Sequence, residues 1–495
     1  MKQNLYLTIL LAFTANQYVK AQQNILFIIA EDMSLDLGCY GNKHVYTPNI
    51  DRLASEGCRF TNAYTTYSVS SPSRGSIYTG LYPHQNGQIG LATHKYSLFS
   101  HVETMPTYLK KLGYRTGCIG KIHVNPESKL PFDFWEIRTS NFAKKGLHRY
   151  AEKAYEFMTS SDKPFCLIVN FPDSHFPVQK QVEGRPSHLV KFEEVDEGLP
   201  FVGISSPEIN ATTANYYNCI NRLDESVGLL LDALKAAKKE DNTIIFFISD
   251  HGAQFSRGKH SNYEGGLKIP FIIKYPKLIK HGEVRDEFIS VIDFLPTFIG
   301  IAKGEKPEYL PGYNILDLWE NKDVKWREYI FAGGMGSFPQ VHFPRRSVRD
   351  KRYKLILNEN AGKENPHFYL YNNHIGHFSG GTRMEEIVTA PANIQKGYST
   401  WINPPQYELY DLLTDPYEWN NLADRIEYKE VLERLKNILY NWRIRTSDMI
   451  FNPNNLNLIN EEMDSVYKNK KVNDYQKNPA FKYRYLNYLN PKVDN

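Results

Sequence analysis

The chain lacks the features that a nucleic-acid-binding, membrane-bound or disulfide-built protein would need. Its 59 basic and 55 acidic side chains nearly cancel, leaving a formal net charge of +4. Such a balance gives no basic surface of the kind that attracts nucleic acid or an anionic membrane. The five cysteines are odd in number and lack metal-site spacing, so they predict neither a disulfide framework nor a cysteine metal site. We therefore expect no nucleic acid and no membrane among the partners.

Long apolar runs are also scarce, and the longest stands at the N-terminus. Residues 1–21 begin with a basic Lys2, continue through apolar residues 5–13 and end on the small Ala21. This pattern is typical of a signal peptide and is shorter than the ~20 apolar residues that a membrane-spanning helix needs. An ordinary core helix is the alternative. The signal peptide predicts an exported protein, periplasmic or secreted.

Four short runs rich in apolar and β-branched residues predict strands that are buried on both faces of a parallel sheet. They span residues 25–30, 114–119, 164–171 and 243–249. Helical patterns at residues 105–112 and 215–238 lie between them. Alternating strands and helices indicate the α/β class, with a large, mostly parallel sheet covered by helices.

The pattern changes beyond about Trp319, where short apolar runs at 353–357 and 408–412 are separated by long polar stretches. A helix with apolar residues at three- and four-residue spacing is predicted at 427–445. We expect a catalytic domain at 22–325 and a C-terminal α+β subdomain at 326–495. The subdomain would carry a smaller antiparallel sheet with a packing helix and border the substrate pocket.

Polar side chains capable of catalysis follow each of the four predicted strands. Ligands of open α/β sheets bind outside the carboxyl ends of the strands, so these side chains are expected to converge. One such pair would mean little, because loops are polar anyway, whereas four strands with the same pattern indicate a site. The residues are Glu31 and Asp32, Lys121 and His123, Asp173 and His175, and Asp250 and His251.

Residues 70–80, SSPSRGSIYTG, carry the most specific signal. Taken alone, they would be a Ser/Pro turn that caps the following helix. In context they resemble the signature of the type I sulfatases, with Ser70 at the modified position. Segments 24–32, 47–54, 249–252 and 408–423 resemble the same family, and segments 68–74, 84–87, 120–124, 131–134 and 346–349 are similar to the heparan N-sulfatases.

This resemblance implies that Ser70 is oxidised to formylglycine by a radical sulfatase-maturating enzyme, because a plain serine is a weak nucleophile. One hydroxyl of the formylglycine hydrate would attack sulfur, and the other would later expel sulfate. The resemblance also implies one divalent metal, most simply Ca²⁺, since carboxylate oxygens suit a hard cation. Its ligands would be Glu31, Asp32, Asp250, His251 and an oxygen of modified Ser70. The family usually has Asp at the position of Glu31 and often Asn at that of His251, which keeps other divalent metals open.

Further roles are carried over by the same resemblance. Arg74 would steady the formylglycine, while Lys121 and Lys259 would hold the sulfate. His123 would take a proton during release, and His175 would protonate the leaving group. Lys259, His94 and Arg346 are the candidates for substrate binding.

The resemblance implies an exo-acting carbohydrate sulfatase, with sulfated polysaccharide fragments as substrate. The sugar is either an O-sulfated algal polysaccharide such as ulvan or an N-sulfated glucosamine of heparan. Residues 336–338 read Gly-Ser-Phe where the animal N-sulfatases have a His-His-Glu stretch, which weakens the case for glucosamine. Two alternatives stay open: a phosphoryl-ester hydrolase that uses unmodified Ser70, and a non-catalytic glycan-binding protein.

Overall fold

The computed structural model describes residues 22–143, 146–321, 323–468 and 473–491. The predicted signal peptide, residues 1–21, lies outside the described residues. In the described part of the chain, no helix is long and apolar enough to cross a membrane. All five cysteines are free.

A large mixed sheet forms the centre of the molecule. Its strand order is β4-β3-β5-β1-β6-β7-β2-β8, with β9 paired to β2. The five strands from β4 to β6 are parallel, whereas β7 runs antiparallel to both of its neighbours. The strands are β1 (Asn24–Ala30), β2 (Cys58–Tyr64), β3 (Arg115–Ile119), β4 (Phe134–Glu136), β5 (Phe165–Asn170), β6 (Thr243–Ser249), β7 (Lys268–Lys274), β8 (Glu283–Arg285) and β9 (Ile289–Ser290).

Helices cover both faces of this sheet, because alternate residues of the central strands point to opposite sides. Phe27 of β1 belongs to one core with Phe246 and Phe294, and its neighbour Ile28 belongs to the other with Leu223. The helices in the part of the chain that forms the nine-stranded sheet are α1 (Pro48–Ser55), α2 (Ser70–Thr79), α3 (Pro83–Asn86), α4 (Met105–Lys111), α5 (His148–Thr159), α6 (Pro207–Ala236), α7 (Glu264–Leu267), α8 (Phe294–Ile301) and α9 (Asp317–Glu320).

A second sheet of four antiparallel strands follows, in the order β10-β11-β12-β13. Leu435, Leu439 and Trp442 of α13 pack on it around Leu355, as the apolar spacing of that helix predicts. The strands are β10 (Ile330–Gly334), β11 (Arg345–Arg349), β12 (Tyr353–Asn358) and β13 (Tyr407–Asp411). The helices are α10 (Pro366–Asn372), α11 (Met384–Ile387), α12 (Ala392–Ile402), α13 (Lys429–Arg445), α14 (Pro453–Lys468) and α15 (Tyr485–Tyr488).

The predicted fold class is confirmed: a mostly parallel sheet covered by helices, with a separate antiparallel sheet. All four predicted strands form, with ends that shift by at most two residues. Strands β2 and β7 were missed, although β7 reads Lys-Ile-Pro-Phe-Ile-Ile-Lys. The domain boundary at residue 325 stays a prediction. Segments beyond it, such as those of Tyr371 and Ile459, complete the two cores of the large sheet.

Candidate active site

The carboxyl ends of β1 and β6 lie side by side and bring two acidic pairs together. Ala30 pairs with Ser249 in the sheet register, and Asp250 N donates to Ala30 O at 3.0 Å. Glu31 and Asp32 therefore lie next to Asp250 and His251, and all four are buried. The backbone of Asp32 has φ of +51°, a conformation that costs a non-glycine residue free energy and is commonly found at functional sites.

Ser70 is the first residue of α2 and reaches this acidic group. Its Oγ donates to Glu31 Oε1 at 2.8 Å and lies 3.1 Å from His251 Nε2. Helix α2 is buried along its whole length, so Ser70 is held by packing as well as by these contacts. The predicted nucleophile thus meets two of the predicted metal ligands.

Arg74 lies one helical turn after Ser70 and is fully buried. Its Nη2 donates to Glu31 Oε2 at 2.8 Å and its Nε to Asp250 Oδ2 at 3.2 Å. Its Nη1 donates to Asn170 Oδ1 at 2.5 Å. Burial raises the pKa of Glu31, but Arg74 and Lys121 outweigh that effect and hold it well below its usual value. Arg74 therefore helps to keep the buried Glu31 carboxylate charged.

Asp32, Asp250 and His251 offer ligand atoms that all lie within 4.8 Å of one another. His251 Nδ1 lies 2.9 Å from Gly252 O, which can only accept, so this nitrogen carries the hydrogen. In the neutral ring, Nε2 then presents a lone pair to Asp32 Oδ1, 3.2 Å away, and to Asp250 Oδ2, 3.8 Å away. Asp32 Oδ1 accepts no hydrogen bond from any described residue. Three acceptors that face each other in a buried space fit a bound cation.

Glu31 is not a member of that group of three. Its oxygens are engaged by Ser70, Arg74 and Lys121. Glu31 lies beside the group through its contact with Ser70, and its role as a metal ligand stays a prediction.

Two lysines approach these carboxylates, Lys121 from the loop after β3 and Lys259 from the loop after β6. Lys259 Nζ donates to Asp32 Oδ2 at 2.8 Å and to Gln254 Oε1 at 3.3 Å, while Lys121 Nζ donates to Glu31 Oε1. Burial raises the pKa of Asp32, but nearby positive charge, chiefly that of Lys259, lowers it to about 2. Both ammonium groups therefore lie beside the metal-binding group, where they can bind an anion.

His123 and His175 follow β3 and β5. His123 has φ of +60°, and its buried Nδ1 has no hydrogen-bond partner among the residues that the structure describes. Nδ1 of His175 lies 2.6 Å from Phe176 O, which leaves Nε2 to face Asp32 Oδ2 at 3.7 Å. Burial lowers the pKa of both rings well below the usual value, and Lys121 adds to this for His123. Both imidazoles are therefore kept neutral.

Gly120 fixes the approach of the loop that carries Lys121 and His123. It has φ of +93°, and a Cβ at this position would lie 2.2 Å from Asn170 O. Only glycine allows β3 and β5 to end this close together.

Asp173 is not available to the site, although it follows β5 as predicted. Both of its oxygens accept from Arg222, at 2.8 and 2.7 Å, and it is fully buried. Of the two polar residues predicted after β5, His175 is thus the one that reaches the cluster.

Two of the residues predicted to bind substrate lie elsewhere. Arg346 is buried, and its guanidinium donates to both oxygens of Asp448, at 2.9 and 2.6 Å. That ion pair engages the guanidinium, and substrate binding by Arg346 stays a prediction. His94 stacks on Phe338 at 4.7 Å and lies 2.6 Å from Tyr475 Oη, and these contacts leave its predicted role untested.

Sequence reasoning missed two rings at the entrance. Phe142 stacks on His175 with ring centroids 3.6 Å apart and planes 2° apart, and Lys121 Nζ lies 4.4 Å from its centroid. His377, from the C-terminal region, approaches His175 edge-on at 5.2 Å. Neither has a motif or a regular spacing that would single it out. Asn170 was missed as well, although it ends β5 and the strand-end rule would have found it.

The profile of the sulfatase family matches residues 23–304, and that of the C-terminal region of N-sulphoglucosamine sulphohydrolase matches residues 255–375. An ulvan-active sulfatase of Formosa agariphila is 32% identical over 87% of this chain and 82% of its own length. Human N-sulphoglucosamine sulphohydrolase is 29% identical over 86% of this chain and 91% of its own. The solved structure of a YidJ sulfatase from Bacteroides fragilis is 25% identical and superposes with a TM-score of 0.68, covering 86% and 96% of the two chains.

The fold and the buried carboxylate–histidine site define a hydrolase of the α/β class, with a group of side chains that could hold a metal ion. The chain belongs to the sulfatase family, and it is a sulfuric ester hydrolase. The family generally uses a formylglycine and a divalent metal, and Asp32, Asp250 and His251 make a suitable acidic site for such an ion. The two curated relatives are named for sulfated carbohydrates, which fits the carbohydrate sulfatase expected from the sequence.

Proposed function

We propose that this chain removes sulfate from sulfated saccharides, with Ser70 as the residue that becomes formylglycine. The observation that carries the proposal is the position of Ser70 Oγ, 2.8 Å from Glu31 Oε1 and 3.1 Å from His251 Nε2. A nucleophile made at this atom would stand between the metal-binding group and the two lysines. No other serine of α2 has such surroundings: Ser73 Oγ, for example, donates to the backbone oxygen of Asp250.

Asp32, Asp250 and His251 would hold one divalent cation, together with an oxygen of modified Ser70. Two carboxylates and an oxygen of Ser70 favour Ca²⁺, whereas the imidazole also suits a softer metal. When bound, the cation would polarise a sulfate oxygen. We assign Glu31 chiefly to holding Arg74 and Lys121, in keeping with its ion pairs.

The remaining steps belong to side chains of the chain itself. Lys121 and Lys259 would bind the sulfate oxygens, and their charge would stabilise the negative charge that develops in the transition state. The neutral His123 would accept a proton from the second hydroxyl at Ser70 when sulfate leaves. His175, whose Nδ1 is held by Phe176 O, would first take up a proton at Nε2, beside the Asp32 carboxylate, and then give it to the oxygen or nitrogen of the leaving sugar.

The substrate would be a terminal sulfated unit of a polysaccharide fragment. The Formosa relative favours an O-sulfated algal polysaccharide such as ulvan, and the human relative favours N-sulfated glucosamine. Export to the periplasm or the medium would bring the enzyme to such polymers, and a radical maturating enzyme would act on Ser70 before or during export.

The test is the mass of the peptide that contains Ser70, from protein made with and without a radical maturase. Oxidation of the alcohol to an aldehyde removes two hydrogens, so we expect a loss of about two mass units only with the maturase. Sulfate release from ulvan and heparin fragments should follow the modified fraction. Ser71→Ala is the matched control, because Ser71 Oγ accepts only from Ala92 N and lies outside the metal-binding group. Hydrolysis of phosphate esters by protein with unmodified Ser70 would contradict the proposal.

A further inference from the structure

A cleft of about 490 Å³ lies outside the cluster around Ser70. Its floor is formed by Ser34 and Asp36, which follow β1, and by Lys268, which begins β7. Because β7 is antiparallel to β6, Lys268 stands at the same edge of the sheet as the active site. The other wall comes from the C-terminal region, through Arg349 and residues 412–417. None of the proposed catalytic or metal-binding residues lines this cleft.

Lys268 is the unusual member of the lining. It is half-buried, and its side chain has no hydrogen bond or ion pair with any residue in the described ranges. Glu264 is the nearest carboxylate to act on it, and that carboxylate is bound by Arg349 at 2.6 Å and Lys354 at 3.1 Å. Burying an ammonium group without a partner is costly, so its retention here calls for a ligand.

The charges around Lys268 do not balance. The charged residues of the lining are three cations, Lys268, Arg349 and Lys351, and two carboxylates, Asp36 and Glu264. Arg349 pairs with Glu264 and Lys351 with Asp286, while Asp36 accepts from Tyr216 and Asn42. Lys268 is therefore the charged side chain of the lining that has no such partner in the described ranges, which favours an anionic ligand.

The opposite wall is apolar and exposed. Leu413 is 74% exposed and Tyr417 40% exposed, although both are large hydrophobic side chains. Phe201 and Pro416 continue this wall. Apolar and aromatic side chains share this cleft with a lysine that has no partner among the described residues, and this combination matches the C–H face and the acidic substituent of a charged sugar ring.

We infer that this cleft is a second saccharide-binding site, which takes an anionic sugar unit with its acidic group on Lys268 and its ring against Tyr417 and Leu413. The site is separate from the reaction centre and goes beyond the function proposed above. It would hold part of a polyanionic chain on the enzyme while another part is processed or released.

The test uses full-length protein with Ser70→Ala, so that no turnover occurs, and calorimetric titration with a heparin-derived tetrasaccharide. Lys268→Gln should weaken one binding event by about tenfold to a hundredfold, the range for loss of a charged hydrogen bond. Lys268→Arg should keep the binding. Tyr417→Ala should weaken the same event about threefold to tenfold through loss of the aromatic face.

The matched control is Lys163→Gln. This lysine is exposed and precedes β5, at the opposite edge of the sheet, so its removal changes the net charge equally without touching the cleft. The same titration with an unsulfated heparosan tetrasaccharide separates the two acidic groups. Lys268-dependent binding of both sugars assigns the contact to carboxylate, and binding of the sulfated sugar alone assigns it to sulfate.

Equal affinities of the parent, Lys268→Gln and Lys163→Gln proteins would overturn the inference, as would equal losses for the two glutamine variants. The Ser70→Ala background keeps this result independent of catalysis. Failure of sulfate release by the matured enzyme would leave the titration interpretable, and failure of the titration would leave the chemistry at Ser70 untouched.

Discussion

Two clusters of buried charge in this molecule look alike by composition and differ in arrangement. Around Asp448, the carboxylate accepts from Arg346 at 2.9 and 2.6 Å and from Arg443 at 2.7 Å. Around Asp32, acceptors of Asp32, Asp250 and His251 face one another, and Asp32 Oδ1 accepts no hydrogen bond within the described chain. The first arrangement is complete with the chain's own atoms, and the second fits an added cation.

The comparison shows that buried charge alone does not identify a site. Arg346 belongs to the Asp448 cluster, which ties β11 to the segment after α13. The Asp32 cluster draws on the ends of several parallel strands and on the first turn of α2. Mutually opposed acceptors therefore separate a functional cluster from a structural one, and the following experiments test that separation.

The largest effect is expected from Asp32→Asn. This change keeps the size of the side chain but removes one ligand charge and the partner of Lys259, so kcat/KM for the sulfated saccharide should fall by at least about 10³-fold. Stability of the metal-free protein should change little, because the lost contact with Lys259 is offset by weaker repulsion from Glu31 and Asp250. Kinetics and thermal unfolding of the same samples check both statements. Asp162→Asn, at an exposed position, is the control; activity within tenfold of the parent would contradict the assignment.

Asp448→Asn should have the opposite profile. Removing this charge leaves Arg346 and Arg443 buried without their partner, which typically costs about 3–5 kcal/mol of stability. The folded fraction should keep its kcat. Chemical denaturation measures the stability. A kcat assay well below the new melting temperature shows whether the folded fraction keeps its activity. A large loss of kcat in folded protein would show that the Asp448 cluster also serves catalysis, which contradicts the distinction.

The same residue gives a pH test. Burial alone would raise the pKa of Asp448, but Arg346, with His84 and Arg443, holds it well below the usual value. A carboxyl with a lowered folded-state pKa stabilises the protein above its unfolded pKa of about 3.9 and loses that contribution as pH falls toward the folded value. The parent should therefore lose stability below about pH 4 more steeply than Asp448→Asn, as followed by acid titration of unfolding. Parallel acid curves would contradict this.

Removing the metal should also distinguish the two clusters, through a somewhat smaller change in the stability of the folded protein. A cation that binds only the folded protein stabilises it by about 2.7 kcal/mol at a hundred times its Kd. We expect Ca²⁺ to raise the unfolding temperature of chelator-treated parent and of Asp448→Asn, but not of Asp32→Asn. Parallel titrations with Mg²⁺ and Mn²⁺ identify the preferred ion. An equal response of all three proteins would place the cation elsewhere.

The sequence predicted the strand ends well because continuous apolar runs leave few other structures possible. The β1 and β6 runs form strands, and Glu31, Asp32, Asp250 and His251 converge behind them. Sequence alone leaves open what tertiary pairing decides. Arg346 has the same letter whether it binds a sugar or Asp448, and Glu31 has the same letter whether it binds a metal or Arg74. Strand β7, which pairs with both β6 and β2, was missed for a local reason. Its apolar run contains a Pro and has a lysine at each end.

The smallest effect is expected at Phe142, whose loop position gave no signal in the sequence. Its ring stacks on His175 at 3.6 Å and lies 4.4 Å from Lys121 Nζ, so it orients one predicted proton donor and one predicted sulfate ligand. Phe142→Ala should lower kcat/KM about threefold to tenfold, in line with the ~1 kcal/mol of an aromatic or cation–π contact. Phe142→Trp should retain most of the activity, because a flat ring is kept, and Phe192→Ala, at an exposed position, should have no effect. If Phe142→Ala instead increased kcat/KM, the ring would hinder the approach of the substrate rather than orient His175. The ring would then have to move aside for the substrate to bind.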